Sequence, residues 1–166
     1  MAIQQSKGVL LALGLIVLTA GPTLPQDITV SDLMIYDVRA RATPPKAPVA
    51  GGYLTIMNTG PVMDRLIGVS APFAGKTEIH EIKIKDNVMQ MRRVDGGVEI
   101  PANGSVQLKP GGLHIMFMQL KEQLVHGEHR PITLVFEQHG NIEVVISVED
   151  IGKQPKHSSN EDTPKS

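Results

Sequence analysis

The chain has 166 residues with 16 basic and 17 acidic side chains, a net charge of −1 and no basic run, which argues against nucleic acid and anionic membrane surfaces as partners. It contains no cysteine, which excludes disulfides, thiolate chemistry, blue-copper centres and cysteine zinc sites. Tryptophan is absent, whereas methionine occurs eight times, so thioether sulfur is the conspicuous chemistry of the composition.

In chain order, residues 1–23 read as an export signal. Lys7 supplies positive charge, and residues 9–20 form an apolar stretch of signal-peptide length, short of the about 20 apolar residues of a transmembrane span. No cysteine stands near position 20 to take a lipid. The expectation is therefore a cleaved signal and an exported, periplasmic protein without stable membrane insertion. Residues 24–152 read as one domain. Segments rich in Val, Ile, Leu and Thr recur at 28–38, 49–60, 64–72, 76–84, 88–94, 98–100, 105–110, 113–120, 132–138 and 142–150. The prolines of ATPPKAP (42–48) forbid a helix and favour an extended crossing. NTGP, KDN, DGG, ANG, PGG and HGN punctuate the rest with turn chemistry. Many short strands at close spacing predict an all-β sandwich or barrel. The tail, KQPKHSSNEDTPKS (153–166), has no apolar side chain large enough to pack and is expected to be disordered.

Three of these segments carry soft ligands at strand spacing. In KTEIHEIKI, Glu78, His80, Ile82 and Ile84 share one face, while Thr77, Ile79, Glu81 and Lys83 share a more polar one. The KDN turn leads into VMQMRRV, which predicts an antiparallel hairpin with Met89 and Met91 on a common face. In LHIMFMQL, His114, Met116 and Met118 share one face and Leu113, Ile115 and Phe117 the other. The candidate ligands are His80, Met91, His114 and Met116, spaced His-x10-Met-x22-His-x-Met, with Met89 and Met118 as neighbours. Thioether and imidazole together suit Cu(I) better than zinc or the hard cations. Methionine also fills cores, and on spacing alone a packed strand and a metal site stay open as alternatives.

The run IHEIKIKDNVMQMRRVDGGVEIPANGSVQLKPGGLHIMFMQLKEQL (79–124) resembles the periplasmic copper chaperone family known as PCuAC, whose hallmark is His-x10-Met-x21-His-x-Met. The second spacing is one residue longer here, attributable to an extra glycine in DGG (95–97), in a loop that tolerates insertion. RATPPKAP and GGYLTIMNTG resemble the family's framing sequences, so the likeness covers about residues 28–150. It implies a cupredoxin-like Greek-key β-barrel with an exposed Cu(I) site formed by His80, Met91, His114 and Met116. It also implies delivery of copper to the CuA centre in cytochrome c oxidase subunit II, or to another copper-carrying assembly factor. Two departures stand out. Ile82 occupies a position where family members often have Met, and the tail offers only His157 where some members hold a second copper.

Other constellations carry less. His126, Glu128 and His129 in VHGEHRP, with His139 in a later turn, lack a partner cluster for zinc and read as a solvated loop. No Gly-x-Ser-x-Gly elbow is present, nor a glycine loop that opens a helix, so neither hydrolysis nor phosphate binding is indicated. The expectation is a monomeric, non-enzymatic copper carrier. The rival is an exported β-sandwich adaptor that uses its Met-rich strip for protein contact.

Overall fold

The computed structural model describes residues 27–86 and 88–150. The export signal, the polar tail and both domain boundaries lie outside the described residues. Among the described residues every regular element is a strand: β1 (Ile28–Val30), β2 (Leu33–Arg41), β3 (Val49–Asn58), β4 (Asp64–Ser70), β5 (Ala74–Lys85), β6 (Val88–Arg93), β7 (Val98–Ile100), β8 (Gly104–Leu108), β9 (Leu113–Leu120), β10 (His129–Phe136) and β11 (Gly140–Glu149).

The strands pair in the order β6-β5-β9-β3-β2-β11-β10-β4-β7, with β1 on β2 and β8 on β3. Chain neighbours repeatedly land far apart in this order. β4 lies beside β10 and β5 beside β9, so residues 71–73 cross from one half of the sheet to the other. Residues 121–128 make a second such crossing, from β9 to β10. β11 returns parallel to β2, the first long strand. This is the all-β, cupredoxin-like Greek-key arrangement expected from the sequence.

Alternation sets the core. Ile115 and Phe117 of β9, Leu54 and Ile56 of β3, Leu134 and Phe136 of β10 and Ile146 and Val148 of β11 belong to one buried cluster. Phe73, in the first crossing, packs its ring 5.0 Å from that of Phe117. In the second crossing Leu124 is fully buried, and Thr43 binds its backbone twice: Thr43 N–H donates to Leu124 O, and Leu124 N–H to Thr43 Oγ1. The proline-rich crossing at 42–48 is thereby pinned to the second crossing.

Three expectations need correction. The segment 28–38 is two strands rather than one. Ser31 adopts a left-handed φ of 52°, and Val30 pairs with Leu33 across a two-residue turn. Asp32 O then accepts from Thr59 N–H. Residues 129–131, read as loop, open β10. Pro131 is tolerated there because β4 pairs β10 only from Thr133 onward, which leaves the proline on a free edge. The two faces of the 76–84 segment are also reversed in character. Ile79, on the face read as polar, is a core residue, whereas Ile84, on the face read as apolar, is 73% exposed. The outer half of the β5–β6 hairpin extends past the core, and all of β6 is exposed.

One buried charge braces the far side of the domain. Asp64 Oδ1 accepts from Arg65 N–H and Gln138 N–H, and Oδ2 lies 2.7 Å from His139 Nδ1. Burial alone would raise the carboxyl pKa, but the bonds from Gln138, His139 and Arg65 outweigh it and hold the group below its ordinary value. A depressed folded-state pKa stabilises the protein above the unfolded value of 3.8, and that stability is lost as pH falls through the folded value. Asp64→Asn should cost about 1–3 kcal/mol in urea unfolding at pH 7, with less further loss than wild type on acidification below about pH 4. Equal stability of the two proteins at pH 7 would contradict this bracing role. The faces of β5 give a second expectation: Ile79→Ala should cost about 2–5 kcal/mol, and Ile84→Ala within about 0.5 kcal/mol. Equal costs would mean that both faces are core.

Candidate metal centre

β5 lies between β6 and β9, and in an antiparallel pair directly opposed residues project from the same face. His80 of β5 stands opposite His114 of β9, and Ile82 opposite Met91 of β6. Glu78 stands opposite Met116, which in turn opposes Gly51 of β3. Opposed Cβ atoms lie about 4.5–5.5 Å apart and diagonal ones about 7–8 Å. His80 and His114 therefore form the central row, with Met91 diagonal to His80 on one side and Met116 diagonal to it on the other. The two imidazoles sit edge to face, with ring centroids 5.9 Å apart. The four candidate ligands from three separated segments share one contiguous patch.

Their settings differ. His114 is buried, Met116 half-buried and Met91 half-exposed. His114 Nδ1 lies 3.0 Å from Gly112 O, a group that can only accept, so Nδ1 carries the proton and Nε2 keeps its lone pair. The same carbonyl accepts from Ile82 N–H, which ties the turn before β9 to β5. Gly111, in that turn, has a φ of 80°, a conformation glycine adopts without strain. The His80 side chain is 15% exposed, with Nε2 2.8 Å from Glu78 Oε2. Among the described residues, His80 Nδ1 is the one buried side-chain nitrogen or oxygen without a hydrogen-bond partner. Such an atom carries a desolvation cost unless something binds it.

A cleft of about 400 Å³ opens over this patch. Met91, His114 and Met116 line it, with Ile82 beside them and Pro44 and Tyr53 opposite. His80 does not line the cleft. Gly51 sits where a Cβ would come within 2.8 Å of the Tyr53 hydroxyl oxygen, and Gly52 where one would meet the Phe117 ring at 2.6 Å. Each glycine makes room for an aromatic ring, one lining the cleft and one in the core. Neither Tyr53 nor the Pro44 wall was legible as part of the site, because each comes from a segment without ligand chemistry of its own.

Met89 faces Ile84 near the hairpin tip and is 68% exposed, while Met118 pairs with Lys76 and Val49 beyond Met116. Both share the face without joining the central cluster. The 95–97 loop follows β6 and precedes β7, so it lies outside the β5–β6 hairpin. Elsewhere, Glu128 accepts from Val125 N–H and Arg130, and His126 lies 3.6 Å from Asp150. Among the described residues no three His, Cys, Asp or Glu side chains converge on a common point, so any metal at the central patch would draw on thioether sulfur.

The family model described as "LpqE-like: Putative lipoprotein LpqE-like" matches residues 33–148. "Putative lipoprotein Lxx21020" of Leifsonia xyli subsp. xyli is 33% identical over 95 residues, 57% of this chain and 57% of that protein. "Uncharacterized protein RP573" of Rickettsia prowazekii is 31% identical over 103 residues, 62% of this chain and 56% of that protein. The matches thus span just over half the length of these relatives. Among solved structures, the copper-bound PCuAC domain from PmoF2 superposes with a TM-score of 0.65 at 25% identity, covering 76% of this chain and 99% of that one. The CuI form of DR1885 from Deinococcus radiodurans gives a TM-score of 0.54 at 26% identity, covering 75% and 80%. The resemblance to PCuAC proteins read from residues 79–124 is borne out, and a family of lipoproteins is one of exported, envelope proteins. The chain belongs to the LpqE-like family and has the fold of PCuAC domains.

Proposed function

We propose that this protein is a periplasmic copper carrier that holds one Cu(I) ion between the imidazoles of His80 and His114 and the thioethers of Met91 and Met116. The observation that carries this reading is the patch itself: four soft, neutral donors meet on one face, and one of them has a buried nitrogen with no partner. Imidazole and thioether suit Cu(I), and neither donor type brings a negative charge to the ion. The bound ion keeps its positive charge, so its release costs less than from a thiolate cage. The copper-bound and CuI states of the similar structures support copper as the cargo.

Transfer would proceed by ligand exchange. Met91 is the half-exposed donor, so an incoming ligand displaces it first while the buried His114 still holds the ion. The acceptor we propose is the CuA centre of cytochrome c oxidase subunit II. No step in this scheme makes or breaks a covalent bond of a substrate, so the protein acts as a carrier and not an enzyme. One observation favours the rival adaptor role. Ile84 and Met89, opposed on the hairpin and on the same face as Met91, form an exposed apolar strip next to the cleft. In the carrier reading this strip is where the acceptor docks.

An anaerobic Cu(I) titration against a chromophoric chelator should give one-to-one binding. His114→Ala with Met116→Leu should weaken it by about two orders of magnitude or more, since leucine keeps the apolar bulk and removes the sulfur. Failure of the wild-type protein to compete for Cu(I) would contradict the carrier role and favour the adaptor. The copper-loaded protein mixed with the reduced, copper-free soluble domain of oxidase subunit II should lose its copper to that domain. Retention of the copper would contradict the proposed acceptor.

A further inference from the structure

Glu78 has no place in the donor set, yet it is the side chain most tightly engaged with it. Its side chain is 11% exposed, on the same face as His80 and directly opposite Met116. Its two oxygens are divided between different tasks. Oε1 takes both cations, lying 2.7 Å from Lys76 Nζ and 3.4 Å from Arg93 Nη1. Oε2 is left to His80 Nε2, 2.8 Å away. Lys76 and Arg93 belong to different registers of the sheet: Lys76 is two residues before Glu78 on β5, and Arg93 on β6 stands opposite His80. The carboxylate is thus clamped from two directions by groups that are not donors to a soft metal.

We propose that Glu78 is the positioning residue of this site: it accepts a hydrogen bond from His80 Nε2–H, fixes the ring, and leaves Nδ1 as the atom that binds the cargo ion. The inference rests on the carrier reading for the identity of the ion, but the tautomer can be tested without it. The chemistry is one-directional. A carboxylate only accepts, so the nitrogen facing it carries a proton, and in the neutral ring, the form that binds a metal, the lone pair falls to the other nitrogen. That other nitrogen is the buried atom without a partner. His114 is set the opposite way round, with Nδ1 protonated against Gly112 O and Nε2 free. Each imidazole is thereby locked by an acceptor on one side, and the pair would bind copper through unlike nitrogens. Such partners orient a ligand ring and raise its basicity, and their loss commonly costs about 10- to 100-fold in metal affinity.

The test is nitrogen-15 NMR of the full protein labelled at histidine, first without metal and then with one equivalent of Cu(I), which is diamagnetic. Without metal, His80 should show a single tautomer protonated at Nε2. On adding Cu(I), the His80 Nδ1 resonance should shift while the Nε2 proton persists. A His80 protonated at Nδ1, or a copper-induced loss of the Nε2 proton, would overturn the assignment. In the chelator competition, Glu78→Ala should weaken Cu(I) binding by about 10- to 100-fold, and Glu78→Gln, whose amide oxygen can still accept the hydrogen bond from Nε2–H, should recover most of it. Wild-type affinity in Glu78→Ala, or equal losses in both variants, would reduce Glu78 to a surface ion pair. If wild-type protein binds no Cu(I), the carrier reading fails, while the metal-free spectrum still decides the tautomer.

Discussion

Everything at the site depends on the register between β5 and β9. Because His80 opposes His114, the residues two steps away on either strand must share their face, and Met116 and Glu78 follow without further specification. A one-residue slip of β5 against β9 would send His80 to the core side and bring Ile79 out, parting the two imidazoles. The hydrophobic face of the same two strands prevents that slip. Ile79, Ile115 and Phe117 are buried in the common core, so the register that buries them is the register that presents the donors. Folding energy from one face fixes ligand geometry on the other.

The second half of the arrangement is graded exposure. The β9 donors sit where the sheet is flanked on both sides, between β5 and β3, and His114 is buried there. Met91 sits on β6, the end strand, where every residue is exposed. A site with one firm side and one open side suits a protein that must hold an ion and also give it up. The walls agree with this division. Thr43, bonded to the backbone of the buried Leu124, anchors the proline-rich crossing on one side of the cleft, while the β5–β6 hairpin stands free on the other. The charges nearby are arranged around Glu78 and do not enter the donor set. The hydrogen bond from Lys76, then that from His80, and behind them the charges of Lys76 and Arg93, keep that carboxyl down at about 2, so it remains an acceptor throughout the ordinary pH range.

Much of this was legible in the sequence. LHIMFMQL matches β9 residue for residue, because strict alternation is bounded by PGG on one side and polar residues on the other. The KDN hairpin was legible for the same reason, from a short polar turn between two alternating runs. Where reading failed, the missing information was three-dimensional. Ile79 and Ile84 lie in one strand, and alternation separates their faces without saying which face the core covers or where along the strand the core stops. The Ser31–Asp32 turn contains neither glycine nor proline, so the run 28–38 looked continuous. Pro131 looked like a strand breaker because nothing local shows that β4 stops pairing short of it. At the site, the four donors could be named from spacing and resemblance. Glu78 was on the page as a same-face neighbour of His80, yet its clamp by Arg93 depends on a hairpin register that spacing alone does not give.

The central claim is that imidazole and thioether from three strands meet on one ion. Copper-edge X-ray absorption of the one-to-one Cu(I) complex tests it most directly, because sulfur and nitrogen scatter differently in the first coordination sphere. The account predicts a mixed shell of nitrogen and sulfur, with sulfur lost when Met91 and Met116 are both replaced by leucine. A first shell of nitrogen and oxygen alone in the wild-type protein would contradict it.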